Sequence, residues 1–358
     1  MTTILFIGAI LLLVIFGMLL KVQSMVDVVR GSFSKRAGFS NQVNAVLFLI
    51  FLIVGLGLFY WITVDSRQYY LPEAASEHGP KIDNQFWTTM IIITIVFVGT
   101  HLLLFTFPYL YQFKESRKAT FFPDNHKLEF VWTIIPAIVL TILVLGGFKV
   151  WSEVTSPAPA NHISFEIVGK QFNWMLRYPG KDGILGKHNF RKIDATNTLG
   201  IDFTDKNALD DFMPGEIHIP VGIPVKFNIR SRDVLHSVFA IHFRQKMDAV
   251  PGMPTSFWFT PTKTTADMRA ETGNPNFTYE IACTEVCGAG HFGMKSKIVV
   301  DEPEDYAKWL ETQQSFLSQN PDYIKDVPEN LRSLAEQQLP KQAATDSATV
   351  VKAAASIQ

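Results

Sequence analysis

Four long apolar runs in the first half of the chain constrain its fold more than any other feature. Ile4 to Leu20 and Ala45 to Val64 carry no charge, and Met90 to Tyr111 breaks its apolar pattern at His101. Val131 to Val150 holds a charge only at Lys149, close enough to its end to reach the interface. Each run is roughly 17–22 residues, the length of helix that crosses the hydrocarbon core of a bilayer. The segment ahead of the first run, Met1-Thr2-Thr3, has no positive charge, and no Ala-x-Ala site precedes Lys21. A retained span is therefore expected rather than a signal peptide.

Loop charges set the expected orientation. Lys21, Arg30, Lys35 and Arg36 lie between the first two runs, against Asp27 alone, and Lys114, Arg117, Lys118 and Lys127 lie between the last two. The middle loop carries Asp65, Glu73, Glu77 and Asp83 against Arg67 and Lys81. The positive-inside rule places both basic loops in the cytoplasm, and the middle loop and the whole second half outside. A net charge of -1 gives no basic excess for nucleic acid.

From Ile163 the pattern changes to short β-branched and aromatic stretches punctuated by Gly and Pro. Strands are predicted at Ile163–Val168, Gln171–Tyr178, Glu216–Pro220, Val225–Ser231, Val238–Ile241, Ser256–Phe259, Phe277–Ala282 and Lys297–Val300. Many short strands with turn signals between them indicate a β-sandwich or Greek-key barrel. Pro179 to Pro214 reads as an inserted polar surface loop with a short helix near Asp205–Phe212. Its acids, Asp202, Asp205, Asp210 and Asp211, suit either the steering of a basic partner or simple solvation. A helix is predicted to start at Pro303-Glu304-Asp305. The Ala-, Ser- and Thr-rich tail beyond Pro340 is expected to be disordered. The resulting division is 1–64, a first pair of spans; 65–151, a second hairpin; 152–302, the β-domain; and 303–358, a helix and tail.

Both cysteines of the chain fall in Cys283-Thr284-Glu285-Val286-Cys287-Gly288-Ala289-Gly290-His291-Phe292-Gly293-Met294. Two thiols, an imidazole and a thioether are the soft and borderline donors that hold copper. A second histidine, His236, stands in Asp233-Val234-Leu235-His236-Ser237, and His242 competes with it without that context. The residues alone leave three readings open: a copper pair bridged by two thiolates, a tetrahedral zinc on Cys283, Cys287, His291 and His236, or a disulfide.

These motifs resemble subunit II of the haem-copper cytochrome c oxidases, the copper A subunit. The resemblance rests on Cys283-x-Glu285-x-Cys287-x3-His291-x2-Met294, on Arg230 to Ser237, on Asp248-Ala249-Val250-Pro251-Gly252 and on Leu128 to Pro136, and it covers residues 88–302. It implies a membrane-anchored all-β protein: transmembrane α-helices followed by a cupredoxin-like Greek-key β-sandwich. It implies a dinuclear copper A centre bridged by Cys283 and Cys287 and capped by His236 and His291. Met294 and the Glu285 carbonyl are then the weak axial donors. The Glu285 side chain faces a shared magnesium or manganese site, and Glu129 lies at the mouth of a proton-uptake path. Haems are expected in subunit I only.

The implied reaction is oxidation of cytochrome c and reduction of oxygen to water with proton pumping. Oxidase subunits I and III would be partners, in a bacterial inner (cytoplasmic) membrane with the copper domain on the periplasmic side. A quinol oxidase subunit II or a copper- or zinc-binding assembly protein is the alternative. Two departures from the family pattern stand out. Gly169-Lys170-Gln171-Phe172-Asn173-Trp174 has Phe172 where a relay Trp is usual, and keeps Trp174. This points to a membrane-held or tethered cytochrome c domain as an alternative donor to soluble cytochrome c. The first two spans are additional to the usual pair.

Overall fold

The computed structural model describes residues 2–30, 39–114 and 116–339. The chain forms two compact units. One comprises residues up to Tyr70 together with Phe86–Val144, and the other comprises Leu71–Gln85 and the chain from Leu145 onward.

The first unit is helical: α1 (Thr2–Val29), α2 (Phe39–Asp65) and the bulk of α3 (Gly79–Leu110) and α4 (His126–Val154). All four are long and apolar enough to cross a membrane. Their apolar side chains are largely exposed to the surroundings, as lipid-facing helices must be. Between α2 and α3, Phe51 meets Phe105 at 5.0 Å and Phe59 meets Phe97 at 5.0 Å. His101 packs tilted against Phe97 at 4.0 Å, and its Nδ1 lies 2.8 Å from the Phe97 carbonyl, so the ring is held on its own helix. The helices run beyond the apolar cores that announced them. α3 begins at Gly79 rather than Met90, because Pro80 suits a first helical turn and the Ser76 hydroxyl accepts from Gly79 N at 3.1 Å. The expectations for Lys35, Arg36 and the tail beyond Pro340 fall outside the described residues.

The second unit is a β-sandwich. β1 (Ile163–Lys170), β2 (Asn173–Arg177), β4 (Val225–Ser231) and β7 (Thr255–Phe259) form one sheet in the order β2-β1-β4-β7. β3 (Ile217–Pro220), β9 (Lys295–Asp301), β8 (Tyr279–Cys283), β5 (His236–Ala240) and β6 (Gln245–Ala249) form the other in that order. β1 pairs parallel to β4 and β3 parallel to β9; the other pairings are antiparallel. Period-two burial puts Val225, Phe227 and Ile229 of β4 inside, facing Ile217, Ile219, Tyr279, Ile281 and Ile298 of the opposite sheet. α5 (Thr265–Thr272), absent from the sequence reading, starts with a reciprocal cap between Thr264 and Asp267.

Three expectations and one omission require correction. Gln171 and Phe172 are not in a strand; they form the turn between β1 and β2. β6 was not foreseen, because Gln245-Lys246-Met247-Asp248-Ala249 is too polar to read as a strand and forms only by pairing with β5 at the sheet edge. The 179–214 segment is not a surface loop. Its Leu199, Ile201, Phe203, Ala208 and Leu209 form a second apolar cluster with Val168, Met175, Phe316, Leu317, Val327 and Ala335. This second cluster buries the outer face of β1, which is why Phe165 to Gly169 are buried without alternation. The helix expected at Asp205–Phe212 is a single 3-10 turn, Lys206–Ala208, with Asp205 as its cap.

The acids of that segment also turn inward. Arg177 Nη1 donates to buried Asp211 at 2.9 Å, and Lys192 pairs with Asp202 at 2.5 Å. Asp210 accepts from Asp182 N and Asp205 from Lys187 N, so these carboxylates tie the segment down. α6 (Pro303–Thr312) forms where expected, and α7 (Phe316–Gln319) and α8 (Glu329–Gln338) follow to cover the second cluster.

Candidate metal centre

The site lies where β5, the end of β8 and the loop from Cys283 to Met294 converge. Pairing of Val238 with Cys283 brings His236 beside the loop. Cys283 N donates to the Met294 carbonyl at 3.0 Å, closing the loop at its base. The two thiols are free and buried, with Sγ atoms 3.9 Å apart.

Each sulfur has its own pair of neighbours. Cys283 Sγ lies 3.9 Å from His236 Nδ1 and 3.3 Å from the Glu285 carbonyl. Cys287 Sγ lies 3.6 Å from His291 Nδ1 and 3.9 Å from Met294 Sδ. The His236, Cys283 and Cys287 donor atoms fall within 4.8 Å of one another. All six sequence-predicted donors are thus brought together, and His242 is not among them: its ring packs on Phe277 and Tyr279. Burial, with Cys283 alongside, pushes the Cys287 thiol up to about 11. Two adjacent thiolates are therefore unfavourable here until a cation compensates them, as expected of a preformed soft-metal cradle. The residues present fit copper.

Three supports of this site were not singled out from the sequence. Asp233 Oδ1 accepts from His236 Nε2 at 2.8 Å, which leaves the Nδ1 lone pair facing Cys283. Gln171 Nε2 donates to the Cys287 carbonyl at 2.6 Å, and its backbone N donates to Asp233 at 2.8 Å. Gly169 leaves room for the His236 ring: a Cβ there would stand 2.8 Å from His236 Cδ2. An Asp three residues before a ligand histidine was the one available signal.

Phe172 and Trp174 have different settings. Trp174 is buried and meets His236 edge-on at 5.9 Å. Phe172 is 39% exposed, and its ring lies over Gly288 and Gly290; a Cβ on Gly290 would come within 2.4 Å of it. Glu129 sits in the first turn of α4, 3.1 Å from His126 Nδ1 and remote in sequence from the thiol loop.

A two-sheet sandwich carrying soft donors on one late loop and one early strand, behind apolar helices, defines a membrane-anchored cupredoxin-like protein. Comparison with known families narrows this. The cytochrome c oxidase subunit II transmembrane domain matches residues 64–150, and the periplasmic domain of the same subunit matches residues 163–302. An alternative cytochrome c oxidase subunit 2 of Bradyrhizobium diazoefficiens is 34% identical over 279 residues, 75% of this chain and 92% of that one. A cytochrome c oxidase subunit 2 of Thermostichus vulcanus is 27% identical over 285 residues, 72% of this chain and 82% of that one. The crystal structure of the periplasmic domain of a Bradyrhizobium japonicum cytochrome oxidase subunit II has a TM-score of 0.30 at 25% identity, covering 44% of this chain and 95% of that one.

The chain belongs to the cytochrome c oxidase subunit II family. An oxidoreductase role within a haem-copper oxidase follows from that membership, and copper is the metal expected of the family.

Proposed function

We propose that this chain is the electron-input subunit of a proton-pumping cytochrome c oxidase. It takes single electrons from cytochrome c and delivers them to haem a in subunit I. The carrying observation is the pairing of each buried sulfur with one imidazole nitrogen and one weak donor. Cys283, Cys287, His236, His291, Met294 and the Glu285 carbonyl would hold two coppers there, the two thiolates shared between them and each imidazole serving one. A dinuclear copper centre bound there supplies a one-electron couple with little geometric change.

The protein's own groups hold that arrangement rigid. Asp233 orients His236, Gln171 anchors the Cys287 carbonyl, and Trp174 and Phe172 shield the donors from water. Phe172, 39% exposed, and Trp174, buried edge-on against His236, serve as the relay. Glu285, half-buried on the same loop, faces a magnesium or manganese shared with subunit I. Glu129, at the cytoplasmic end of α4, lies at the mouth of a proton-uptake path. The setting is a bacterial inner membrane, with subunits I and III as partners and the first two spans added for contact with another subunit. The completeness of the donor set separates this reading from a quinol oxidase subunit, and the crowding of two sulfurs with a thioether separates it from a zinc scaffold.

The test is the metal content and spectrum of the purified native complex. A purple mixed-valence absorption with two coppers in this chain is expected, and Cys283→Ser is expected to abolish it. A spectroscopically silent zinc, or an unchanged spectrum in the variant, overturns the assignment.

A further inference from the structure

A groove with a cavity of about 440 Å³ opens beside the Gln171–Phe172 turn. His188, Phe190, Arg230, Arg232, Pro251 and Met253 are among its walls, and no Asp or Glu lines it. The 188–199 segment, the end of β4 and the link between β6 and β7 build it together. It adjoins the proposed electron path directly: Arg232 N donates to the Gly169 carbonyl at 2.9 Å, and Ser231 pairs with Gly169.

The groove carries uncompensated positive charge. Arg232 Nη1 donates to the Thr198 carbonyl at 3.0 Å and has no carboxylate partner among the described residues. Arg230 Nε donates to Glu166 at 2.5 Å, but Arg177 shares that carboxylate, with its own Nε 2.9 Å away. One carboxylate thus serves two guanidiniums, and Arg230 Nη2 has no partner among the described residues. The second carboxylate on Arg177, Asp211, is pushed by burial up to about 7 and compensates only in part. Asp233, next to Arg232 in the chain, is engaged by Gln171 N and His236.

The rim is apolar and open, with Phe190 73% and Met253 56% exposed. Arginine, aromatic and methionine side chains around a desolvated centre are the composition of a protein interface core. We propose that this groove docks an acidic surface of the redox protein that delivers electrons, a carboxylate of the partner meeting Arg232 with the buried charge of Arg230 behind it, while apolar side chains meet Phe190 and Met253. This rests on the reading of the neighbouring thiol loop as the electron-input site.

The test uses the intact oxidase complex and follows reduction of the copper absorption by an acidic and by a basic c-type cytochrome over a range of ionic strength. With the acidic donor, the second-order rate is expected to fall about 10-fold or more as salt rises, because screening removes the steering. Arg232→Glu is expected to lower the low-salt rate about 10-fold and to flatten that dependence, leaving the copper absorption intact. Arg232→Gln, which keeps a hydrogen-bond donor for Thr198, should fall between the two.

A faster reaction with the basic cytochrome that slows with salt overturns the proposal, as does an unchanged slope in both variants. Millimolar phosphate or citrate that saturates the groove without slowing the acidic donor assigns it to a small anion and also overturns it. Absence of a copper band in the native complex overturns the copper reading and this proposal with it. A copper band with the opposite salt slope overturns this proposal alone.

Discussion

The Asp233 carboxylate accepts from His236 Nε2 at 2.8 Å while the opposite nitrogen of the same ring faces Cys283 Sγ at 3.9 Å. The carboxylate therefore fixes both the tautomer and the direction of a proposed metal ligand. Asp233→Ala removes that orientation and the anchor for Gln171 N, and should weaken copper binding about 10- to 100-fold. Chelator competition on the full chain measures this, and Asp233→Asn, which keeps an accepting oxygen, should lose less.

Gly169 has ordinary strand geometry, so its requirement is space rather than backbone freedom. Gly169→Ala places a methyl 2.8 Å from His236 Cδ2 and 3.1 Å from Trp174 Cζ3. Both are ring atoms packed in the interior, so the ring must shift. The expected result is lower copper occupancy with a displaced absorption maximum and an unchanged far-UV circular dichroism spectrum. Full occupancy with a wild-type spectrum would show that the ring has slack.

Phe172 and Trp174 can be separated kinetically. Phe172→Trp adds ring on the exposed side of the β1–β2 turn and should speed electron uptake from soluble cytochrome c. Trp174→Phe should slow it while leaving the copper spectrum intact, provided the path runs past His236. Its stability cost should come from the lost ring volume rather than from a hydrogen bond, because the buried Trp174 Nε1 has no partner among the described residues to lose. Stopped-flow reduction of both variants at fixed ionic strength gives the comparison.

Asp211 predicts a pH dependence of stability. Burial pushes its carboxyl from 3.8 up to about 7 in the folded chain. The folded state therefore holds a proton that the unfolded state releases, and stability falls as pH rises from about 4 to about 7. Glu166, held down at about 2 chiefly by Arg177 and Arg230 against burial, acts oppositely: its contribution is full above about 4.5 and is lost as pH falls toward 2. Asp211→Asn should flatten the decline between about pH 4 and about pH 7. Thermal unfolding of the copper-free chain at the two pH values checks it, and equal declines in variant and wild type would refute the assignment.

The loop proposed to hold copper stands out in the sequence because its candidate donors are close in the chain. Cys283, Cys287, His291 and Met294 share one short segment, and a loop can gather such residues by its own turns. His236 was also legible, through its immediate neighbours. Gly169 and Gln171 were not, because their roles depend on β1 being laid beside β4 and on where a turn falls. Phe172 was noticed as a departure, but its exposed position over Gly288 and Gly290 follows from its place in that turn.

What the sequence determined by itself is the kind of element: apolar helices in the first half and a β-sandwich in the second. Apolar runs of bilayer length demand lipid-facing helices, and alternating short runs demand a sandwich with one buried face per strand. The tertiary structure decided what becomes of the polar 179–214 segment. Its isolated apolar residues have no period to reveal them, and they become a core only when α7 and α8 close over β1 from far along the chain. The same closure buries Asp211 and leaves one carboxylate between Arg177 and Arg230, an electrostatic balance set by distance through space rather than by order along the chain.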